Sequence, residues 1–138
     1  MTDKLCVIQY SGAVDKLMAM STIVAGAAAM QKEVHVFLTF GGIGAFRKGA
    51  PETNQQFSTE MAPMAGMILD LAASGKVPHW HQVIRQAKEI GEVKVHACGM
   101  TMDLFRLTQA DMDAVVDDVQ GVASFLELSE GAQLLFIS

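Results

Sequence analysis

Short runs of branched apolar residues alternate along this chain with longer segments of helical spacing. Leu5-Cys6-Val7-Ile8 predicts a first strand, closed by Ser11-Gly12. Residues 14–30 predict a helix rich in small residues, among them Ala19, Ala25, Gly26, Ala27 and Ala28, a composition suited to close packing. A second strand is expected over residues 34–40, where every position but two is apolar, as when both faces are covered. Gly41-Gly42-Ile43-Gly44 breaks that strand, and a short helix is expected around residues 45–48. Residues 49–63 turn polar, with Pro51, Asn54, Gln55, Gln56, Ser58 and Thr59, and predict a long, mobile insertion of the kind that serves as a lid or interface arm. Helices are then expected over residues 64–73 and from Pro78 to about Ile90, the second stopping at Gly91.

A further strand over residues 93–97 runs directly into Cys98-Gly99, and Thr101-Met102-Asp103 opens a short helical turn. Thr108 to Asp111 resembles a capping box with Asp in place of the usual Glu, a helix-start signal. Val115-Val116 is expected as a very short strand, residues 121–130 as a helix ended by Gly131, and residues 134–137 as the closing strand. Strands alternating with helical crossovers give an α/β fold with a parallel sheet. No repeat, low-complexity segment or linker divides residues 1–138, so one domain is expected.

Composition narrows the class of function. Hydrophobic residues make up 51% of the chain, charged residues only 18%, and the mean hydropathy is +0.29. Surface that charge does not cover is often covered by another subunit, so a homo-oligomer is expected. A net charge of −5 without a basic run argues against nucleic acid as a partner. The longest nearly apolar stretch, residues 17–30, has 14 residues and is too short for a membrane span. Met1-Thr2-Asp3-Lys4 lacks the charged-then-apolar layout of a signal peptide, which predicts a cytoplasmic protein. In that compartment Cys6 and Cys98 are expected as separate thiols rather than a disulfide. Most of the ten methionines are read as core filling.

Cys98 is the leading candidate for chemistry. It stands at the carboxyl end of a strand, where open α/β sheets build their sites, and it enters a helix whose N–H groups favour a thiolate. Gly99 allows a tight turn that leaves the sulfur uncovered, and His96, two residues back, shares a strand face with Cys98. His96 is a candidate to favour the thiolate or to exchange its proton. Cys6, among Leu5, Val7 and Ile8, is read as core packing.

No metal or cofactor is expected. His79 and His81 are two residues apart and diverge by about 200° on a helix, and no CxxC, HxxxH or HExxH spacing is present. The glycine run is neither a P-loop nor GxGxxG, because Arg47 occupies the third glycine position. Gly41 and Gly42 also leave the carboxyl end of a strand, on the edge expected for Cys98. With Arg47 and Lys48 they are candidates to attract a small anion or an acidic partner.

The segment from Val95 to Asp103, Val-His-Ala-Cys-Gly-Met-Thr-Met-Asp, resembles the Ala-Cys-x-Met-Ser-Met-Asp block of the DsrE/DsrF-like sulfur-transfer family, in its second DsrE subfamily. Thr101 stands where the block usually has Ser. Ser11-Gly12 with Asp15-Lys16, residues 26–30, residues 37–42 and Gly121-Val122-Ala123-Ser124-Phe125-Leu126 resemble other parts of that family, so the likeness spans almost the whole chain. The family's Met-rich middle is matched only in part, by Met61, Met64 and Met67. The resemblance implies a three-layer α/β/α fold with a parallel sheet of about five strands, assembled into trimers or larger homo-oligomers. It also implies that Cys98, supported by His96, Gly99, Thr101 and Asp103, holds sulfane sulfur as a persulfide or thiosulfonate. The sulfur would pass between a rhodanese-like donor and a TusA-like carrier. The alternatives are a non-enzymatic binding module for a nucleotide, flavin or small anion at the sheet edge, or a structural subunit.

Overall fold

Five strands, β1 (Lys4–Gln9), β2 (Glu33–Leu38), β3 (Val93–Cys98), β4 (Asp118–Gln120) and β5 (Gln133–Ile137), form one parallel sheet ordered β4-β3-β2-β1-β5. The computed structural model describes residues 3–138; Met1 and Thr2, part of the segment read for a signal peptide, lie outside the described residues. The helices are α1 (Val14–Ala29), α2 (Gly41–Ala45), α3 (Ala50–Thr53), α4 (Ala65–Ala73), α5 (Trp80–Ile90), α6 (Gly99–Leu104) and α7 (Val122–Leu128). Among the described residues, no helix is long and apolar enough to cross a membrane.

The alternation of each strand divides the core in two. Leu5, Val7, Val34, Val36, Leu38, Val93, Val95 and Ala97 point to one face and join a large cluster with α1 and α5. The buried positions of α1, Leu17, Met20, Val24, Ala27 and Ala28, recur at three- and four-residue spacing, which aims one stripe at the sheet. Each fully buried Leu, Met or Val of this layer contributes roughly 1.5–3 kcal/mol. The opposite face is covered more thinly. There Cys6, Phe37 and Cys98 pack with Phe125 of α7, flanked by Ile8, Leu128 and Ala132. Leu134 and Phe136 of β5 lie in register with Cys6 and Ile8 and extend the same face, yet they are 45% and 61% exposed. The result is a three-layer α/β/α arrangement with one thick and one thin helical layer.

Several elements differ from the sequence expectation, each for a local reason. The helix expected at residues 45–48 is α2, formed by the glycine run itself, because Gly41 and Gly42 can approach the neighbouring backbone at Gly12 and Gln9. Strand β2 ends at Leu38, and Phe40 takes a left-handed φ of 48°. Val115 and Val116 are buried but are not a strand. They anchor a loop in the large cluster, and β4 follows at Asp118. Thr108 starts only a 3-10 turn over Gln109–Asp111, with both reciprocal bonds of the capping box made. Pro78 precedes α5, and the His79 side chain caps that helix by accepting from the His81 N–H.

The polar insertion, expected to be mobile, is anchored. The Val14 N–H donates to the Gln56 carbonyl, the Asn54 amide donates to the Gly12 carbonyl, and Ser58 donates to Asp15 through both its N–H and its hydroxyl. Burial opposes ionisation of Asp15, but the two Ser58 bonds, with its own backbone N–H and Lys16, together outweigh it and hold the carboxyl below the usual aspartate range. A depressed folded value contributes stability above the unfolded aspartate value, and that stability is lost as pH falls through the folded value. Asp15→Ala is therefore expected to cost about 1–2 kcal/mol at neutral pH. In urea titrations the gap from wild type should close as pH falls through the folded range.

Candidate functional site

Strand alternation places Cys98 and His96 on the thinly covered face, while Val95 and Ala97 join the opposite core. Cys98 is the last residue of β3 and the N-terminal flanking residue of α6, with extended φ and ψ of −68° and 118°. It is 4% exposed, whereas Cys6 is fully buried at 0%. Burial pushes the Cys6 thiol up, more than Lys4 lowers it, as suits a packing residue. The Phe37 and Phe125 rings stack with centroids 4.5 Å apart and share one cluster with the two cysteines. Cys98 is thus buried on the thinly covered face, in one cluster with Phe125, the buried residue of the seven-residue helix α7.

The other residues of the cysteine block act on the backbone around it. Thr101 is fully buried, with its hydroxyl 3.1 Å from that of Thr39 and accepting from the Phe40 N–H at 3.4 Å. It thereby ties α6 to the end of β2 at the residue with positive φ. A Cβ at Gly99 would meet the Gln120 carbonyl and Val119 only at ordinary contact, so this glycine is not forced by space. Asp103 is exposed, and its carboxylate makes no hydrogen bond among the described residues. Tyr10, Phe40 and Phe136 form an aromatic rim on the same sheet edge, with Tyr10 centroids 5.3 Å and 6.1 Å from the other two.

His96 has no ring nitrogen left for Cys98. Its Nδ1 lies 2.6 Å from Asp118 Oδ1, and its Nε2 lies 2.9 Å from Nδ1 of His35. The Nε2 of His35 in turn lies 2.5 Å from Glu33 Oε2. The two imidazoles are buried and nearly parallel, with centroids 5.1 Å apart. The His35 bond, reinforced by Lys4, holds the Glu33 carboxyl below its usual range.

Sequence reasoning missed His35 and Asp118 as partners of His96, and Glu33 as the partner of His35. The available signal was His35, a polar residue inside an otherwise apolar strand; the cross-strand register that joins it to His96 is a tertiary fact.

Gly41 and Gly42 serve packing, whereas Arg47 and Lys48 stand apart from Cys98. A Cβ at Gly42 would overlap the Gln9 carbonyl, and one at Gly41 would press on Gly12. Arg47 pairs with Met112 in an isolated bridge, and the Lys48 N–H donates to the Asp111 carbonyl. Met112 belongs to the α1–α5 side, across the sheet from the cysteine. Near the glycine turn an open cleft of about 460 Å³ is lined by Gly12, Gly41, Ala50, Asn54 and Gln56, among others. His79 and His81 serve separate local roles, since His81 bonds Asp113 at 2.9 Å. No group of three or more metal-ligating side chains converges among the described residues.

Comparison with known proteins agrees with this arrangement. A family model described as the DsrE/DsrF/DrsH-like family matches residues 1–75 and 57–136. The Bacillus subtilis (strain 168) protein YrkE, whose function is uncharacterized, is 33% identical over an alignment of 160 residues, covering 99% of this chain and 98% of that protein. Among solved structures, a protein of unknown function from Methanobacterium thermoautotrophicum, MTH1491, superposes with a TM-score of 0.59 at 14% identity, covering 96% of this chain and 97% of that one. The ychN protein from E. coli superposes with a TM-score of 0.56 at 11% identity, covering 99% and 98%. At such identities these two likenesses establish the fold alone.

Proposed function

The chain belongs to the DsrE/DsrF/DrsH-like family, and from that premise we propose that it is a cytoplasmic sulfur-relay protein carrying sulfane sulfur on Cys98. The observation that carries this reading is the position of Cys98. It is a free thiol at the carboxyl edge of a central strand, flanking α6 and separated from solvent only by a thin cover. The Cys98 thiolate attacks the outer sulfur of a donor persulfide R–S–SH. The donor's S–S bond breaks, R–S⁻ leaves, and Cys98–S–SH forms; attack by an acceptor thiolate on the same outer sulfur reverses the sequence. No oxidant is consumed. The apolar cluster of Phe37 and Phe125 would shield the carried sulfur from water and small thiols, and displacement of the α7 cover would admit the partner. A rhodanese-like donor and a TusA-like acceptor fit this scheme. A homo-oligomer fits the exposed Leu134 and Phe136.

A second reading is favoured by the open cleft beside Gly12 and Gly41, whose amide-rich lining suits a small polar ligand. Mass spectrometry after incubation with polysulfide or thiosulfate separates the two. The wild type is expected to gain the mass of sulfur atoms, Cys98→Ser to gain none, and Cys6→Ser to behave as wild type. Absence of uptake by the wild type, or equal uptake by Cys98→Ser, would overturn the carrier reading and leave the cleft as the site.

A further inference from the structure

Glu33, His35, His96 and Asp118 form three hydrogen bonds in series across β2, β3 and β4, and each bond needs one proton. A neutral imidazole offers one donor and one acceptor, and an ionised carboxylate only accepts. Two neutral imidazoles between two carboxylates therefore supply two protons for three bonds. One contact would then set lone pair against lone pair, in a buried site where an unmade bond costs most.

The missing proton has a natural place. The His35 bond and Lys4 hold the Glu33 carboxyl below its usual range, which disfavours the proton there. The imidazole pair can take it: one ring becomes an imidazolium bonded to one carboxylate and to the other, neutral ring. Other groups around the pair are few. On β1 are Lys4, 4.0 Å from Glu33, and Cys6, in register with His35. On β3 is Lys94, also in register with His35 and exposed. From α7 comes the Phe125 ring, 6.4 Å from His96, and the one charged residue of that helix is Glu127.

We propose that these four residues are a proton-holding latch, in which one proton beyond those of two neutral imidazoles ties the edge strand β4 to the centre of the sheet. Strand β4 has only three residues, and its other edge has no neighbour in the sheet. The bond from His96 to Asp118 is the side-chain tie at its first residue. Gln120, at the other end of β4, lies in register with Cys98, so the latch fixes the strand that borders the candidate site. Both outer carboxylates reach solvent, Glu33 at 40% and Asp118 at 48% exposure, so the proton can exchange without unfolding. The latch stands whether or not Cys98 carries sulfur.

Nitrogen-15 NMR of histidine-labelled protein counts the ring protons directly. At a pH where free imidazole is neutral, His35 and His96 of the wild type are expected to carry three N–H protons between them. Asp118→Asn is the decisive variant. Its amide donates to His96 Nδ1, His96 Nε2–H then donates to His35, and His35 donates to Glu33, so all three bonds form with two ring protons. The count should fall from three to two with the fold intact. Glu33→Gln makes the mirror-image chain with the same expected count, and it keeps the test open should Asp118→Asn fail to fold.

Raising the pH should speed hydrogen exchange at β4 in the wild type beyond its intrinsic base dependence, and should not do so in Asp118→Asn. Wild-type stability should also fall more steeply with rising pH, because the folded chain then holds a proton that the unfolded chain has lost. Two ring protons in the wild type, three in both variants, or β4 exchange that ignores pH would overturn the latch.

Discussion

Phe125→Ala is expected to lower stability by about 3–5 kcal/mol and to speed alkylation of Cys98 by about tenfold or more. Phe125 is the only residue of α7 that is fully buried, with Leu128 of the same helix only partly buried against its cluster. Its ring stacks on Phe37 at 4.5 Å, lies 6.4 Å from His96, and closes the cluster that contains both cysteines. Removing it leaves a cavity that the sheet cannot fill, because the strands beneath are fixed by hydrogen bonds on both sides. Leu126→Ala is the control. Leu126 is 50% exposed on the same helix and should cost little in either measurement. Alkylation is measured with a small iodoacetamide-type reagent under conditions where the variant remains folded, with Cys6 as the internal reference. A large loss of stability without faster Cys98 modification would show that access runs past α6 instead, and would redirect the proposed opening to Gly99 and Met100.

This asymmetry between layers was only partly legible in the sequence. The run from Val34 to Leu38, apolar except at His35, correctly marked a strand covered on both faces, and the small-residue segment over residues 14–30 marked the helix that covers one of them. The alternation of His96 and Cys98 with Val95 and Ala97 likewise put the cysteine and histidine on one face. What failed to show was anything set by register between strands. His35 and Asp118 meet His96 because three parallel strands align at that row, and no spacing along the chain encodes that alignment. Val115 and Val116 misled for a related reason, since burial of a loop and burial of a strand leave the same apolar mark. The polar insertion misled in the opposite sense. Asn54 and Ser58 look solvated, yet their side chains are what pin the segment to Gly12 and Asp15.

The glycine turn offers the sharpest separation between a packing role and a binding role. Gly42→Ala is expected to destabilise the protein by about 2–3 kcal/mol or more, while Gly44→Ala should be neutral or stabilise it by up to about 1 kcal/mol. Both residues lie in α2 and neither has positive φ, so intrinsic helix propensity favours alanine equally at the two positions. They differ in what surrounds them. A Cβ at Gly42 would overlap the carbonyl oxygen of Gln9, a backbone atom of the interior strand β1, whereas one at Gly44 meets nothing within 4 Å. Gln9 cannot retreat, because β1 is paired on both sides with β2 and β5. The strain must therefore fall on α2 and on the Gly12 turn that faces it. Urea unfolding of the two variants measures the contrast. If Gly42→Ala matches the wild type in stability, the close approach to Gln9 is not what selects glycine there, and ligand contact in the adjacent cleft becomes the better account. If the contrast appears, close approach to the Gln9 carbonyl is what selects glycine at position 42, and that residue of the turn is accounted for by packing rather than by ligand contact.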